Sequence, residues 1–115
     1  MKKLTVDYTQ GKTPPNHFDM KSFPILDRTP DSPNKLALAQ SLYLPGGGVN
    51  SGVQPFETVY FVLDGEIQVT GEAGEHRVGA GEALLVLPGE TRTVRNPGTE
   101  PARVLLIISV PEIPD

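Results

Sequence analysis

Apolar and polar positions alternate with a period of two over most of the chain beyond Lys35. Leu36, Leu38, Leu42 and Leu44 interleave with Ala37, Ala39, Ser41 and Tyr43, the spacing of a strand with one face against a core. Gln40 falls on the leucine face, where an amide is either a satisfied core group or part of a cavity lining. A glycine run, Pro45-Gly46-Gly47-Gly48, follows and reads as a flexible connection. Six more short strands are predicted at residues 57–63, 66–70, 75–78, 83–87, 91–96 and 102–110, separated by Asp64-Gly65, Gly71-Glu72-Ala73-Gly74, Gly79-Ala80-Gly81, Pro88-Gly89 and Pro97-Gly98. No stretch of helical length carries a helical period. This pattern predicts an all-β, antiparallel sandwich or barrel. Val59, Phe61 and Leu63 oppose Thr58, Tyr60 and Val62, and the run from Arg103 to Ile108 is apolar on both faces. One face of each would line a barrel, and the other must meet a second layer or a second subunit.

Residues 1–35 are rich in turn formers, including Pro14-Pro15-Asn16 and Asp27-Arg28-Thr29-Pro30-Asp31-Ser32-Pro33-Asn34. They read as an arm with short edge strands at 4–8 and 22–26, leaving 36–115 as the barrel. The 115 residues fit one domain, and the 12 Gly and 12 Pro are scattered rather than periodic, which excludes collagen-like repeats and disfavours a helical bundle. With only 6% aromatic residues the core is thin for a lone domain, so a homodimer is expected. The net charge of −4, and the absence of any Lys or Arg between Lys35 and Arg77, argue against nucleic acid as a partner. The chain contains no Cys, which removes disulfides, thiolate metal sites and a cysteine nucleophile, and suits a reducing compartment. A charged start without a following apolar run, and no span-length apolar window, predict a cytoplasmic protein with no membrane partner.

Two segments resemble the paired motifs of the cupin superfamily of small jelly-roll barrels. The first family motif runs Gly, five residues, His-x-His, three or four residues, Glu, six residues, Gly. Gly46, Gly52, Gln54, Thr58 and Gly65 fall on those places in register. The second runs Gly, five residues, Pro-x-Gly, two residues, His, three residues, Asn. Gly81, Leu87, Gly89, Arg92 and Asn96 occupy it, with Leu87 where proline is expected. The resemblance implies a cupin-type antiparallel barrel, a double-stranded β-helix, over residues 36–110. The family's metal is held by the His, His, Glu and His of these motifs. The matching Gly52, Gln54, Thr58 and Arg92 are poor ligands, and Arg92 puts a permanent positive charge where a cation would sit. No metal and no other cofactor is therefore expected. An atypical site would need His17 and His76, the only two histidines, to meet an acid such as Glu57.

A guanidinium turned into a barrel needs an acidic partner, an anionic ligand or water. Glu57, one residue before Thr58, is expected on the opposite face. The sequence therefore predicts a pocket in which Arg92 grips a small organic anion, with Gln54, Thr58, Tyr60 and Gln40 adding neutral hydrogen bonds. Such a protein would be a carrier, sensor or accessory protein. Alternatives are a metal-independent isomerase or lyase using Tyr60 and His76 as proton-transfer groups beside Arg92, a dioxygenase-like enzyme with atypical ligands, and a structural dimer module with a packed barrel.

Overall fold

The computed structural model describes residues 1–111. The described residues form one eight-stranded antiparallel sheet and contain no helix: β1 (His17–Leu26), β2 (Leu36–Val53), β3 (Thr58–Asp64), β4 (Glu66–Gly71), β5 (Gly74–Gly79), β6 (Ala83–Val86), β7 (Thr91–Arg95) and β8 (Ala102–Ser109). Their order is β5-β4-β7-β2-β8-β3-β6, with β1 added on β2. The two end strands, β5 and β6, are consecutive in the chain, so the sheet curls into a nearly closed barrel. Its interior is filled by small, mostly β-branched side chains, among them Val49, Val62, Ile67, Val69, Val78, Val94 and Val104, with Tyr43 and Tyr60 between them.

The strand that organises this barrel is β2, at 18 residues the longest. It pairs with β1, β7 and β8, and the glycine run expected to be a connection lies inside it. At Gly48 a Cβ would stand 1.9 Å from the Val94 carbonyl oxygen, and at Gly47 one would stand 2.1 Å from that of Asp19. The missing side chains are what lets three strands approach at one place. Gly46, with φ +80°, supplies the bend just before this crossing and has open space around it.

The two faces of β2 are also assigned by the structure. Ser41 and Tyr43 are buried inside the barrel, whereas Leu36 and Leu44 are exposed and Leu38 and Leu42 half-buried on the outside. Small side chains point inward here because Ala39 and Ser41 lie opposite Leu106 and Val104 of β8, which fill the space. Gln40, on the outer face, accepts from the Tyr8 hydroxyl at 3.2 Å and from Arg103 at 2.9 Å. Its side-chain oxygen is thus a satisfied polar group on the outer face, apart from the bonds that join Arg92, Gln54, Thr58 and Tyr60.

The arm differs from expectation in both predicted strands. Residues 4–8 form no strand; the Asp7 amide donates to Pro24 and the Tyr8 ring meets Phe23 edge-on at 5.2 Å. The second strand begins at His17, five residues earlier than predicted, because its pairing with β2 continues through Val49. Arg95 stacks its guanidinium 4.6 Å over the Phe18 ring. Arg28 donates to the carbonyls of Val110 and Pro111, tying the end of the arm to the exit of β8.

The crossing gives a direct expectation. Gly48→Ala forces a Cβ into backbone and should destabilise the fold by more than about 3 kcal/mol. Gly46→Ala meets only the left-handed backbone penalty of about 1–2 kcal/mol. Urea unfolding of the two variants checks the order, and equal midpoints would show that the strands can separate cheaply.

Candidate functional site

The site is built where β7, the end of β2 and the start of β3 meet. Arg92 on β7 stands directly across from Gly52 on β2. A side chain is missing there, so the guanidinium lies over the glycine; a Cβ would be 3.6 Å from Arg92 Nη1 and 3.7 Å from Asn16 Nδ2. Two residues on, the Gln54 backbone donates to Glu90 and accepts from Gly89, both at 2.8 Å. This fixes the β6–β7 connection against the end of β2. Thr58 and Tyr60 share the inner face of β3 and are almost fully buried.

A directional chain of hydrogen bonds joins these residues. Arg92 donates from Nε to the Tyr60 hydroxyl at 3.0 Å and from Nη2 to Gln54 Oε1 at 3.2 Å. Gln54 Nε2 donates to Thr58 Oγ1 at 2.6 Å, and Thr58 donates to the Phe56 carbonyl at 2.9 Å. The polarity is forced from one end: guanidinium can only donate, so the amide must present its oxygen to Arg92 and its nitrogen to Thr58. Every partner in this chain is neutral. Glu57 is exposed on the other face, as expected, and the one salt bridge among the described residues, between Arg77 and Glu66, lies on the surface.

The charge of Arg92 therefore has no salt-bridge partner among the described residues, and it borders a cavity of about 300 Å³. Val69, Leu84 and Val86 form much of the wall, with His76 and Thr91 as polar members and Glu72 and Glu90 as the carboxylates. Of five guanidinium N–H groups two are used by Gln54 and Tyr60, and the other three have no hydrogen-bond partner among the described residues. His76 is exposed and on the cavity wall, two residues from the buried Val78. Tyr60, only 3% exposed, stands behind Arg92 and off that wall. The two candidate proton-transfer groups are thus separated in role: one orients the arginine and the other meets solvent at the cavity.

Beneath the site, burial pushes the Tyr43 phenol well above its ordinary range, and neighbouring Tyr60 adds to this; the Ser41 hydrogen bond and the Arg92 charge oppose it only in part. His17 is half-buried on β1, its Nδ1 bonded to the Pro15 carbonyl at 2.8 Å. Among the described residues no three His, Asp or Glu side chains gather as metal ligands. His17, His76 and Glu57 therefore form no atypical centre. The family's metal does not fit the residues here: a glycine, a neutral amide and a hydroxyl offer no adequate donor set. A cation close to the guanidinium would also be repelled by several kcal/mol, on the order of the Coulomb energy at an effective dielectric constant near 20.

A family model described as a cupin domain matches residues 41–108, more than half of the chain. The chain belongs to this cupin family. A Mycobacterium tuberculosis protein named beta-D-galactosidase is 29% identical over 97 residues, 84% of each chain. The polyketide cyclase RemF of Streptomyces resistomycificus superposes with a TM-score of 0.77 at 23% identity, over 100% of this chain and 83% of that one. A cupin 2 conserved barrel protein of Salinispora arenicola gives 0.76 at 15% identity, over 95% and 88%. These likenesses place the fold, and Gly52, Gln54, Thr58 and Arg92, the four positions of the motif register, converge in the structure. Sequence reasoning missed Asn16, brought beside Gly52 by a positive φ of 68°, and the aliphatic wall of Val69, Leu84 and Val86, which reads as ordinary core. Asn96 is structural, donating to the Tyr43 and Glu100 carbonyls.

The buried phenol sets an alkaline limit. The folded state holds Tyr43 neutral above the pH at which an unfolded tyrosine ionises, about 10. Its contribution is therefore whole below pH 10 and is lost as pH rises above it, by up to about 1.4 kcal/mol per pH unit. Tyr43→Phe should flatten that decline in denaturant-unfolding free energies measured from pH 8 to 11. An unchanged slope would mean that Tyr43 ionises as readily folded as unfolded.

Proposed function

We propose that this chain is a metal-independent cupin that binds a small organic anion at the barrel mouth, with Arg92 as the anion-holding group. One observation carries the reading. A guanidinium bonded only to two neutral side chains keeps its charge, and three of its N–H groups have no hydrogen-bond partner among the described residues, beside a cavity of about 300 Å³. Fixed, forked donors suit a carboxylate, phosphate or enolate oxygen pair. Gln54, Thr58 and Tyr60 act through Arg92, by setting its position, rather than by touching the ligand. A glycosidase reading, suggested by the name of the mycobacterial relative, needs two carboxyl groups flanking the scissile bond. Of the two on this wall, Glu90 is already bonded to the Leu87 amide at 2.8 Å. The expected outcome is that a screen of small acids finds members that raise the melting temperature of the wild type by several degrees, consistent with about 2.7 kcal/mol at a hundredfold excess over Kd. Arg92→Gln should lose that shift, and Arg92→Lys should retain it only in part. An equal shift in Arg92→Gln overturns the assignment.

We also propose that the outer face of β2, β8, β3 and β6 seats a second copy of the chain. One row crosses all four strands through Leu38, Ile107, Val59 and Leu85, and the next carries Leu105 and Phe61. Arg103, the cation at its margin, is bonded to Gln40, so the face offers no field of one sign to select a charged partner. A self-complementary apolar face of this kind suits a two-fold pair. Sedimentation at tens of micromolar should give twice the 12.4 kDa chain mass, and Leu85→Glu, at a position 53% exposed, should give a folded monomer. A monomeric wild type sinks the proposal.

A further inference from the structure

The cavity also limits what can accompany the charged group, and from its lining we infer that the ligand is a monoanion with a compact apolar body. This rests on the anion reading above and narrows it. Arg92 supplies a strong anion contact, and much of the rest of the wall is aliphatic, from Val69, Leu84, Leu85 and Val86. Val69 lies on the β4 side, where it pairs across to His76 and Val94. Leu84 and Val86 lie on the β6 side, opposite Tyr60 and Thr58. Between these walls a ligand atom meets aliphatic carbon. The neutral polar side chains of the site are spent elsewhere: Gln54 on Arg92 and Thr58, Thr58 on Phe56, and Tyr60 on Arg92, with Tyr60 off the wall. Of the other side chains on the wall, Thr91 and His76 are the neutral polar ones and the carboxylates Glu72 and Glu90 can only accept, so the ring of hydroxyls on a sugar acid would find few donors for its oxygens.

Charge at the rim sharpens the class. Glu72 and Glu90 are the carboxylates on the wall, and both are exposed. A second anionic group reaching outward from Arg92 would meet these carboxylates, which disfavours dicarboxylates and phosphorylated sugars. About 300 Å³ holds roughly ten water-sized groups at ~30 Å³ each. That is room for one ring or a short branched chain bearing a single carboxylate, phenolate or enolate. The acid end lies on Arg92 and the hydrocarbon lies between Val69 and the Leu84–Val86 edge.

Isothermal titration of the full chain with four probes tests this: benzoate, galactonate, phthalate and benzyl alcohol. Benzoate should bind tightest, with galactonate, phthalate and benzyl alcohol each weaker by at least about tenfold, and with a negative heat-capacity change on benzoate binding. Arg92→Gln should remove the benzoate signal. Val86→Thr, a change of nearly equal volume, should weaken benzoate by about threefold or more without weakening galactonate. Should galactonate or phthalate match benzoate and still depend on Arg92, the anion site stands and the apolar-body inference is overturned. If benzyl alcohol matches benzoate, or if Arg92→Gln binds benzoate unchanged, the anion site itself fails and the inference falls with it.

Discussion

A permanent positive charge bonded only to neutral side chains is the constraint around which this site is arranged. Arg92 cannot shed its proton, and burying it without compensation would cost the fold heavily. The structure answers by bonding two of its N–H groups to Gln54 and Tyr60 and by setting the residue at the border of an open cavity. Each neighbour then inherits a fixed role. Gln54 must turn its oxygen inward, Thr58 must donate to Phe56, and the β6–β7 connection is held against Gln54 by two backbone bonds. On the backbone opposite, Gly52 stands across from Arg92 with no side chain between. Positions that in the wider family would hold a metal are thus reorganised around an organic cation belonging to the chain.

The scaffold that permits this is the long strand β2. Its first part closes the barrel against β8 and its last part carries Gly52 to β7, while β1 runs along the other edge. Gly47 and Gly48 sit where these pairings overlap. The same strand therefore joins the outer arm, the packed end and the open mouth. With β1 on its edge and Arg28 holding the end of β8, few backbone groups of this long ladder are left unpaired.

The sequence made the architecture legible because turn residues and period-two runs are local signals. Predicted strand limits after residue 56 agree with the structure to within one residue at nearly every end. Motif spacing likewise brought Gly52, Gln54, Thr58 and Arg92 to one place. Alternation, however, distinguishes two faces without saying which is inside. The leucines of β2 look like core, yet the tapered interior takes Ser41 and Tyr43, and the leucine face with Gln40 is covered in part by Tyr8 of the arm. The glycine run failed as a loop for a related reason: steric demand from Asp19 and Val94, distant in sequence, is invisible in a local window. His76, two residues before the buried Val78 on β5, lines the cavity and is exposed there.

The one-way run of donors from Arg92 to the Phe56 carbonyl has an evolutionary consequence. Restoring the family's metal would require imidazoles or carboxylates at several of the four positions together. Replacing Arg92 alone leaves Gln54 with an acceptor facing no guanidinium and still supplies no donor set. Replacing Gln54 or Thr58 alone places a new ligand against an existing cation. Each of these single replacements thus leaves either a disturbed hydrogen-bond chain or an incomplete donor set, so a metal centre here needs several of the four positions changed together.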